Sequence, residues 1–317
     1  KDKINSKIDL KRLSHELSDL ERKISLFHAK VVEDLKIDND FIIGFHGQTI
    51  YHNPDEKISL QLGDAQLLHQ FTKKKIIYNF RKNDILNGGQ GAPLTPIFHQ
   101  LIVKQKKIKL PVSILNIGGI TNITLIKNSN EEDRLFSKDI GPGNCLIDTW
   151  VRKNSKKKFD HDGYLASIGK KNEIIFEQAQ ELYYNRNKEK KSFDTNDFDI
   201  SFSRGLSLED GTTTLTEFTG SIIGETLSLL AKDDKIFEDI IICGGGRKNN
   251  TLIKTIKKNL LQKFKISMID NLGIDGDFVE SQAFGFLAIR SYKKLPITFP
   301  STTNCKKPCS GGKIVEN

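Results

Sequence analysis

The sequence predicts an α/β fold, and three observations carry that reading. Short β-rich apolar runs alternate with stretches of helical periodicity along most of the 317 residues. Glycine turns fall where one element gives way to the next, at Gly118-Gly119, Gly141–Gly143 and Gly244–Gly246. No internal repeat points to a solenoid or a propeller. The length suffices for two domains or one large one. A boundary is expected in the charged stretch Lys104–Lys109, before Pro111, which divides the chain into 1–110, 111–276 and a closing helix and tail over 277–317. That last segment is expected to pack back on the first domain.

The elements follow in order. Leu13, Leu17, Leu20, Ile24, Phe27, Val31 and Leu35 recur at helical spacing and predict a long amphipathic helix. Phe41–Phe45 reads as a short buried strand that runs into a polar turn, His46–Thr49. Ser59–Leu62 is a strand, and Asp64 is placed to cap the helix behind it. Lys75–Phe80 is a strand leading to Arg81 and Asp84; Gly88–Pro93 is a loop, because small residues and proline hold neither helix nor strand. Helix resumes over Pro96–Val103. Val112–Asn116 and Asn122–Ile126 form a hairpin about Gly118-Gly119, and Asn130–Asp133 is a polar connection.

The Gly141-Pro142-Gly143 turn opens a helix over Leu146–Lys153. Helices are expected at Tyr164–Ala166, Glu173–Tyr184, Thr214–Leu230, Asn250–Phe264 and Asp277–Tyr292. Asn185–Lys191 reads as a charged loop. Lys235–Cys243 and Lys265–Ile269 read as strands, and the tail after Pro296 as irregular.

Composition excludes several classes. No apolar run approaches the length of about 20 residues that crosses a bilayer, and the opening Lys1–Leu10 has no apolar signal core. The net charge is +9, but the lysines lie in small groups beside turns, with no arginine-rich helix and no aromatic ladder. A solvated basic surface is the better reading, with no nucleic acid and no membrane among the expected partners; a positive field still favours anionic substrates. Four cysteines are too few for a disulfide framework, and the expected compartment is the cytoplasm. Cys305 and Cys309 could be half of a metal site, but their spacing is not that of a zinc ribbon and no second half follows. Metal ligands stay unassigned.

The chemistry concentrates in a few segments. Glycine turns let a backbone approach a ligand closely, and N–H groups at turns and helix starts suit phosphate. Asn116, Gly118, Gly119, Gly141, Gly143 and Asn144 fall in one such pair of turns, and Gly244, Gly245, Gly246 and Asn249 in another. The second is not GxGxxG, so a Rossmann dinucleotide site fits poorly; three consecutive glycines exceed what a βα turn needs and favour nucleotide contact. Asp148, one turn into its helix, is either stabilised by the helix dipole or is a general base facing the phosphate turns. Asp139 shapes the turn or helps to hold a metal. His46, Gln48 and Thr49 supply a ring nitrogen, an amide and a hydroxyl suited to sugar hydroxyls, or they satisfy their own turn. Arg81 either pairs with a substrate carboxylate or with Asp84 at i,i+3. Glu280, in the first turn of the last helix, has the same dipole account as Asp148.

These segments occur together in one order. HGQTI, the FR–D–GGQGAP stretch, LNIGGITNIT, DIGPGNCLIDTW, CGGG with Asn249, and LPITFPSTT resemble the anhydro-N-acetylmuramic acid kinases, from about Leu20 to Val315. The resemblance implies a two-domain, ribonuclease-H-like fold of the actin, hexokinase and heat-shock-chaperone type, with an interdomain cleft. It implies a kinase that opens the 1,6-anhydro bridge of anhydro-N-acetylmuramic acid with water and phosphorylates O6 from ATP, with Mg2+, in cell-wall recycling. Asp148 matches the family's water-activating aspartate. The Leu115–Ile126 hairpin resembles a phosphate loop, Gly244–Gly246 the adenosine turn, and His46–Thr49, Arg81 and Glu280 fall in segments of the sugar site. A homodimer is the family expectation.

Two departures stand out. Ile140 occupies the position at which the family reads threonine in D-T-G-P-G-N. The family also opens with a loop resembling G-x-M-S-G-T-S-x-D-G, which has no counterpart within Lys1–Asn317. The first residue is not Met either, so the expectation is a trimmed or incomplete chain whose first domain lacks its amino-terminal strands. The alternative is a sugar- or muropeptide-binding protein that has lost ATP binding; an ATPase or regulatory member without a sugar substrate is a further rival.

Overall fold

The computed structural model describes residues 4, 6–37, 40–130, 135–187, 192–234 and 239–316. The polar connection at 131–133, the loop at 188–191 and the beginning of the strand expected from Lys235 lie outside the described residues. The strands are β1 Ile42–Phe45, β2 Gln48–Asn53, β3 Ile58–Leu62, β4 Lys75–Tyr78, β5 Val112–Ile117, β6 Ile120–Ile126, β7 Phe136–Pro142, β8 Asp239–Cys243, β9 Lys265–Met268, β10 Pro296–Thr298, β11 Cys309–Ser310 and β12 Lys313–Val315. The chain divides into two compact units. One comprises Lys1–Ile102, Asn130–Leu135 and Glu280–Asn317; the other comprises Val103–Ser129 and Phe136–Val279.

The second unit is built on a five-stranded sheet of order β7-β6-β5-β8-β9. β5, β6 and β7 are antiparallel neighbours. β8 pairs parallel with β5, and β9 parallel with β8. A three-stranded meander continued by parallel strands is the ribonuclease-H-like arrangement. The central strands read as continuous apolar runs because both faces are covered: Ile114, Leu115, Ile117, Ile240 and Ile242 are fully buried. Helix Leu208–Asp234 supplies Leu215, Phe218, Ile222 and Ile223 to the same core. It begins earlier and ends later than the sequence periodicity indicates, since Gly211, Thr212 and Thr213 dilute the apolar pattern at its start. Helix Asn250–Lys258 is shorter than expected.

The first unit holds a three-stranded sheet, β1-β4-β12, and a separate β2-β3 hairpin. β1 and β4 are parallel, whereas β12 lies antiparallel on β4, Ile314 beside Ile77. The long amphipathic helix is present as Lys7–Arg12 followed by Ser14–Asp34. Asp64 caps helix Ala65–Thr72 by accepting from Leu67 N. The tail corrects the expectation of irregular structure. It carries β10, a short helix Pro300–Thr303, β11 and β12, with Ile297, Phe299 and Val315 buried. Elements of two to four residues are too short to show periodicity, so pairing partners rather than local pattern define them. No helix among the described residues is long and apolar enough to cross a membrane.

One contact tests the packing of the second unit. Gly211 lies against Trp150, and a Cβ there would fall 2.2 Å from the indole ring. That ring is held in place by its Nε1, which donates to Leu208 O at 3.0 Å. Gly211→Ala is expected to destabilise by roughly 1–3 kcal/mol through overpacking, read as a lowered urea midpoint with unchanged slope.

Candidate active site

β5 and β8 run parallel with Asn116 beside Cys243, so the turns that follow them leave the same edge of the sheet. In open α/β sheets, ligands bind outside the carboxyl ends of parallel strands. The Gly118-Gly119 turn and the Gly244–Gly246 turn both lie there. Gly244 has φ +80°, and a Cβ on it would sit 2.5 Å from Asn116 Oδ1 and 2.6 Å from Ile117 O. Only glycine combines that backbone with that approach.

The Gly118-Gly119 turn is tied to the start of helix Cys145–Asn154. Asn144 N donates to Gly118 O at 2.8 Å, and Gly143 N and Cys145 N donate to Gly119 O at 2.9 and 3.3 Å. A Cβ on Gly143 would meet Gly118 O at 2.3 Å. This refines the sequence reading. The amides of Gly143, Asn144 and Cys145 already serve the glycine carbonyls, so the anion-binding capacity expected of this helix start cannot come from those three groups. Gly141 is buried in the turn itself, and Gly119 and Gly245 are exposed. The Gly245 Cα faces Asn144 Nδ2, which would stand 3.7 Å from an added Cβ.

Asp148 occupies the first turn of the same helix, half-buried, its amide bonded to Asn144 O at 2.8 Å. Burial pushes its carboxyl up to about 6; Arg152, 4.0 Å away, opposes that shift, and Asp160 adds to it. Asp160 went unremarked in the sequence. Its two oxygens accept from Leu165 N and Ala166 N at 2.8 and 3.1 Å, so it organises the next helix while placing a like charge near Asp148. Asp139 is buried and accepts from Phe193 N at 3.0 Å, which favours the turn-shaping reading over metal ligation. Asn249 has its Oδ1 engaged as the cap of helix Asn250–Lys258, accepting from Leu252 N at 2.9 Å.

Arg247, directly after the three glycines, is the most consequential residue that the sequence reading left without a role. Its side chain is buried. Nε and Nη2 grip Asp270 at 2.7 and 3.0 Å, and Nη1 donates to Gly244 O at 3.1 Å and to Asp277 at 2.8 Å. The guanidinium thus fastens the glycine turn to the 270–277 loop. The spacing of Asp270, Asp275 and Asp277 was the available signal, but an arginine reads as a surface residue unless its partners are known to be near.

In the first unit, His46 Nδ1 lies 2.9 Å from Gly47 O, and Nε2 accepts from Arg81 Nε and Nη2 at 3.2 and 3.0 Å. The ring is therefore the neutral Nδ1–H tautomer. Burial, with the Arg81 charge, lowers its pKa to about 3. The ring also lies on Phe284, centroids 4.3 Å apart. Arg81 Nη1 reaches Gly91 O at 2.8 Å, while Asp84 accepts from Gly91 N and Thr303 Oγ1, both at 2.6 Å. The Arg81–Asp84 pair considered from the sequence is not formed.

His46, Gln48 and Thr49 do not share one turn, because Gln48 already begins β2. Successive strand residues face opposite sides; Gln48 is exposed, and Thr49 accepts from Gln61 Nε2 at 3.2 Å. His46 lines a cavity of about 390 Å³ with Ser59, Gln61, Tyr78 and Lys82 among its walls. Glu280 is exposed in the first turn of helix Val279–Tyr292.

A five-stranded sheet of this order, with glycine turns after its parallel strands β5 and β8 and a half-buried carboxyl in the helix fastened to one of them, defines an α/β protein of the ribonuclease-H-like class. Comparison with known proteins makes this specific. The family described as anhydro-N-acetylmuramic acid kinase matches residues 4–317. A curated anhydro-N-acetylmuramic acid kinase of Pelagibacter ubique (strain HTCC1062) is 52% identical, over 100% of this chain and 86% of that protein. One from Methylobacterium nodulans is 35% identical, over 93% and 79%. A solved structure, the activator of the 2-hydroxyisocaproyl-CoA dehydratase from Clostridium difficile with bound ADPNP, overlaps with a TM-score of 0.40 at 11% identity, over 74% of this chain and 86% of that one. The chain belongs to the anhydro-N-acetylmuramic acid kinase family.

The Arg247 clamp carries a pH signature. Its hydrogen bonds hold Asp270 down to about 2. A depressed carboxyl stabilises fully above its unfolded pKa of about 3.9, and the contribution is lost as pH falls through its folded value. Asp270 is well exposed, so solvent screening reduces the effect. Asp270→Asn is expected to flatten the fall in stability between about pH 4 and pH 2, measured by urea unfolding at stepped pH.

Proposed function

We propose that this chain is an ATP-dependent kinase that opens the 1,6-anhydro bridge of anhydro-N-acetylmuramic acid and places the γ-phosphate on O6, yielding N-acetylmuramic acid 6-phosphate. The observation that carries the mechanism is Asp148. It is a half-buried carboxylate in the first turn of a helix pinned to the Gly118-Gly119 turn, within a chain of this kinase family. A general base works best with its pKa near the operating pH, and burial has moved this one in that direction. In the reaction Asp148 takes a proton from water, and the water oxygen attacks C1. The C1–O6 bond breaks, and the electron pair left on O6 attacks the γ-phosphorus and expels ADP.

The second unit handles ATP in this reading. Gly118 and Gly119 line the phosphate side with Asn116 and the side-chain amide of Asn144, while Gly141 shapes the turn beneath them; Gly244 and Gly245 give the nucleoside a surface free of side chains, with Gly246 packed below on Ile117. Gly143 and Asn249 act by holding the turns in shape. Mg2+ binds through phosphate oxygens, waters and at most one or two carboxylates. Asp139 and Asp160 instead shape the chain, Asp139 Oδ2 accepting from Phe193 N and the two Asp160 oxygens from Leu165 N and Ala166 N. Bound with ATP, the ion would neutralise phosphate charge.

The first unit handles the sugar. His46 is a neutral, fixed ring presented to a cavity, Arg81 a cation for the lactyl carboxylate, and Gln48, Thr49 and Glu280 supply further polar contacts. The homodimer and a cytoplasmic setting complete the proposal, in keeping with the family.

Two outcomes are expected. Asp148→Asn lowers turnover by about 100- to 10,000-fold while ATP binding, read by titration calorimetry, is retained; near-wild-type turnover removes Asp148 from this role. In the unaltered chain, kcat/KM falls as pH drops below about 6, the value to which the Asp148 carboxyl is raised, because only the ionised form accepts a proton. His46 contributes no inflection between about pH 5 and pH 8, the range in which an unperturbed histidine titrates.

A further inference from the structure

Asp84, Cys305 and Cys309 are far apart in sequence, yet the fold brings them together in the first unit. One carboxylate oxygen and the two sulfurs lie within 4.8 Å of one another, and all three residues are buried. The sequence offered the two cysteines as half of a metal site with no second half; a further donor comes from 221 residues before Cys305 in the chain, in the short helix Lys82–Leu86.

The carboxylate is the unusual member. Asp84 is 1% exposed. Its oxygens accept from Gly91 N and Thr303 Oγ1, each at 2.6 Å, but among the described residues no cation pairs with it. An ionised carboxylate removed from water without a counter-charge is costly. A carboxylate has about four lone-pair sites, so two hydrogen bonds leave it capacity for another partner. Both sulfurs lie within 4.8 Å of an Asp84 oxygen and of each other, and Cys309 Sγ donates to Lys307 O at 3.1 Å.

We infer that Asp84, Cys305 and Cys309 form a binding site for a thiophilic divalent cation, with Zn2+ the best match. Two sulfurs and one carboxylate oxygen are a zinc donor set, with bonds of about 2.3 Å to sulfur and about 2.0–2.2 Å to oxygen. Such bonds in a tetrahedron set neighbouring donors roughly 3.5–4 Å apart, which the three donors reach by small side-chain rotations. The fourth position takes water. Binding releases the two thiol protons to solvent. The resulting cluster of one carboxylate, two thiolates and one dication carries a single negative charge, and Lys306 and Lys307 lie between the two cysteines. The ion provides the counter-charge that Asp84 otherwise lacks. It also joins the Gly88–Pro93 loop, through the Asp84 bond to Gly91, to the carboxyl-terminal segment that follows helix Pro300–Thr303.

The test uses the full chain, reduced and stripped with a chelator, then titrated with Co2+ as the spectroscopic probe and with Zn2+. One equivalent of Co2+ should produce a thiolate-to-cobalt charge-transfer band and tetrahedral d–d bands, both displaced by one equivalent of Zn2+. Zn2+ should also raise the thermal midpoint, since a ligand that prefers the folded chain stabilises it. Cys305→Ser with Cys309→Ser, which leaves Cys145 and Cys243 in place, should lose the bands and the shift. Asp84→Asn should weaken Co2+ binding at least tenfold; should that variant fail to fold, the cysteine pair alone decides. Absence of the charge-transfer band in the unaltered chain overturns the inference. So does its survival in the double variant, or rapid oxidation of the pair to a disulfide in a chain that, when reduced, takes up no Co2+.

Discussion

Three hydrogen bonds from the start of one helix to the carbonyls of two glycines organise the second unit. Gly143 N, Asn144 N and Cys145 N reach back to Gly118 O and Gly119 O. The Cys145 bond satisfies one of the amides that an α-helix leaves without intrahelical partners, and the other two pin the residues that lead into it. They also fix the helix relative to the hairpin turn, and so fix the place of Asp148 one turn further on. A side chain on Gly143 would strike the Gly118 carbonyl, so the lock depends on glycine there. The same amides therefore cannot also hold a phosphate. The helix start thus serves as a fastening for the hairpin turn.

A second fastening acts at the other glycine turn. Arg247 ties Gly244 O to Asp270 and Asp277 with a bidentate grip that a lysine could not reproduce. Two turns at the ends of parallel neighbours β5 and β8 are thus each held by a separate device. Preorganised polar groups need no rearrangement when charge develops, and this is where a large part of catalytic stabilisation originates. The glycines give access and the fastenings give rigidity.

Much of this was legible in the sequence, for identifiable reasons. The β5-β6 hairpin was readable because Val112–Ile117 and Ile120–Ile126 are runs rich in apolar and β-branched residues about a glycine pair. The place of Asp148 in the first turn of its helix was readable because the Gly-Pro-Gly turn fixes the helix start within a residue or two. The tail was not readable: β10, β11 and β12 span two or three residues each and exist only through their partners. His46 and Gln48 were grouped in one turn because the polar residues hid the alternation of β2. Arg247 and Asp84 escaped for a common reason. Each is a charged residue whose role depends on groups from about 20 to more than 200 residues away in the chain, and local pattern holds no trace of such partners.

The most direct test is a crystal structure with a non-hydrolysable ATP analogue and the anhydro-sugar. The account predicts the triphosphate against the Gly118-Gly119 and Gly244–Gly246 turns, with the Asp148 carboxylate about 2.6–3.2 Å from a water aligned on C1. A nucleotide bound away from those turns, or an Asp148 side chain pointing away from the bound sugar, would contradict it.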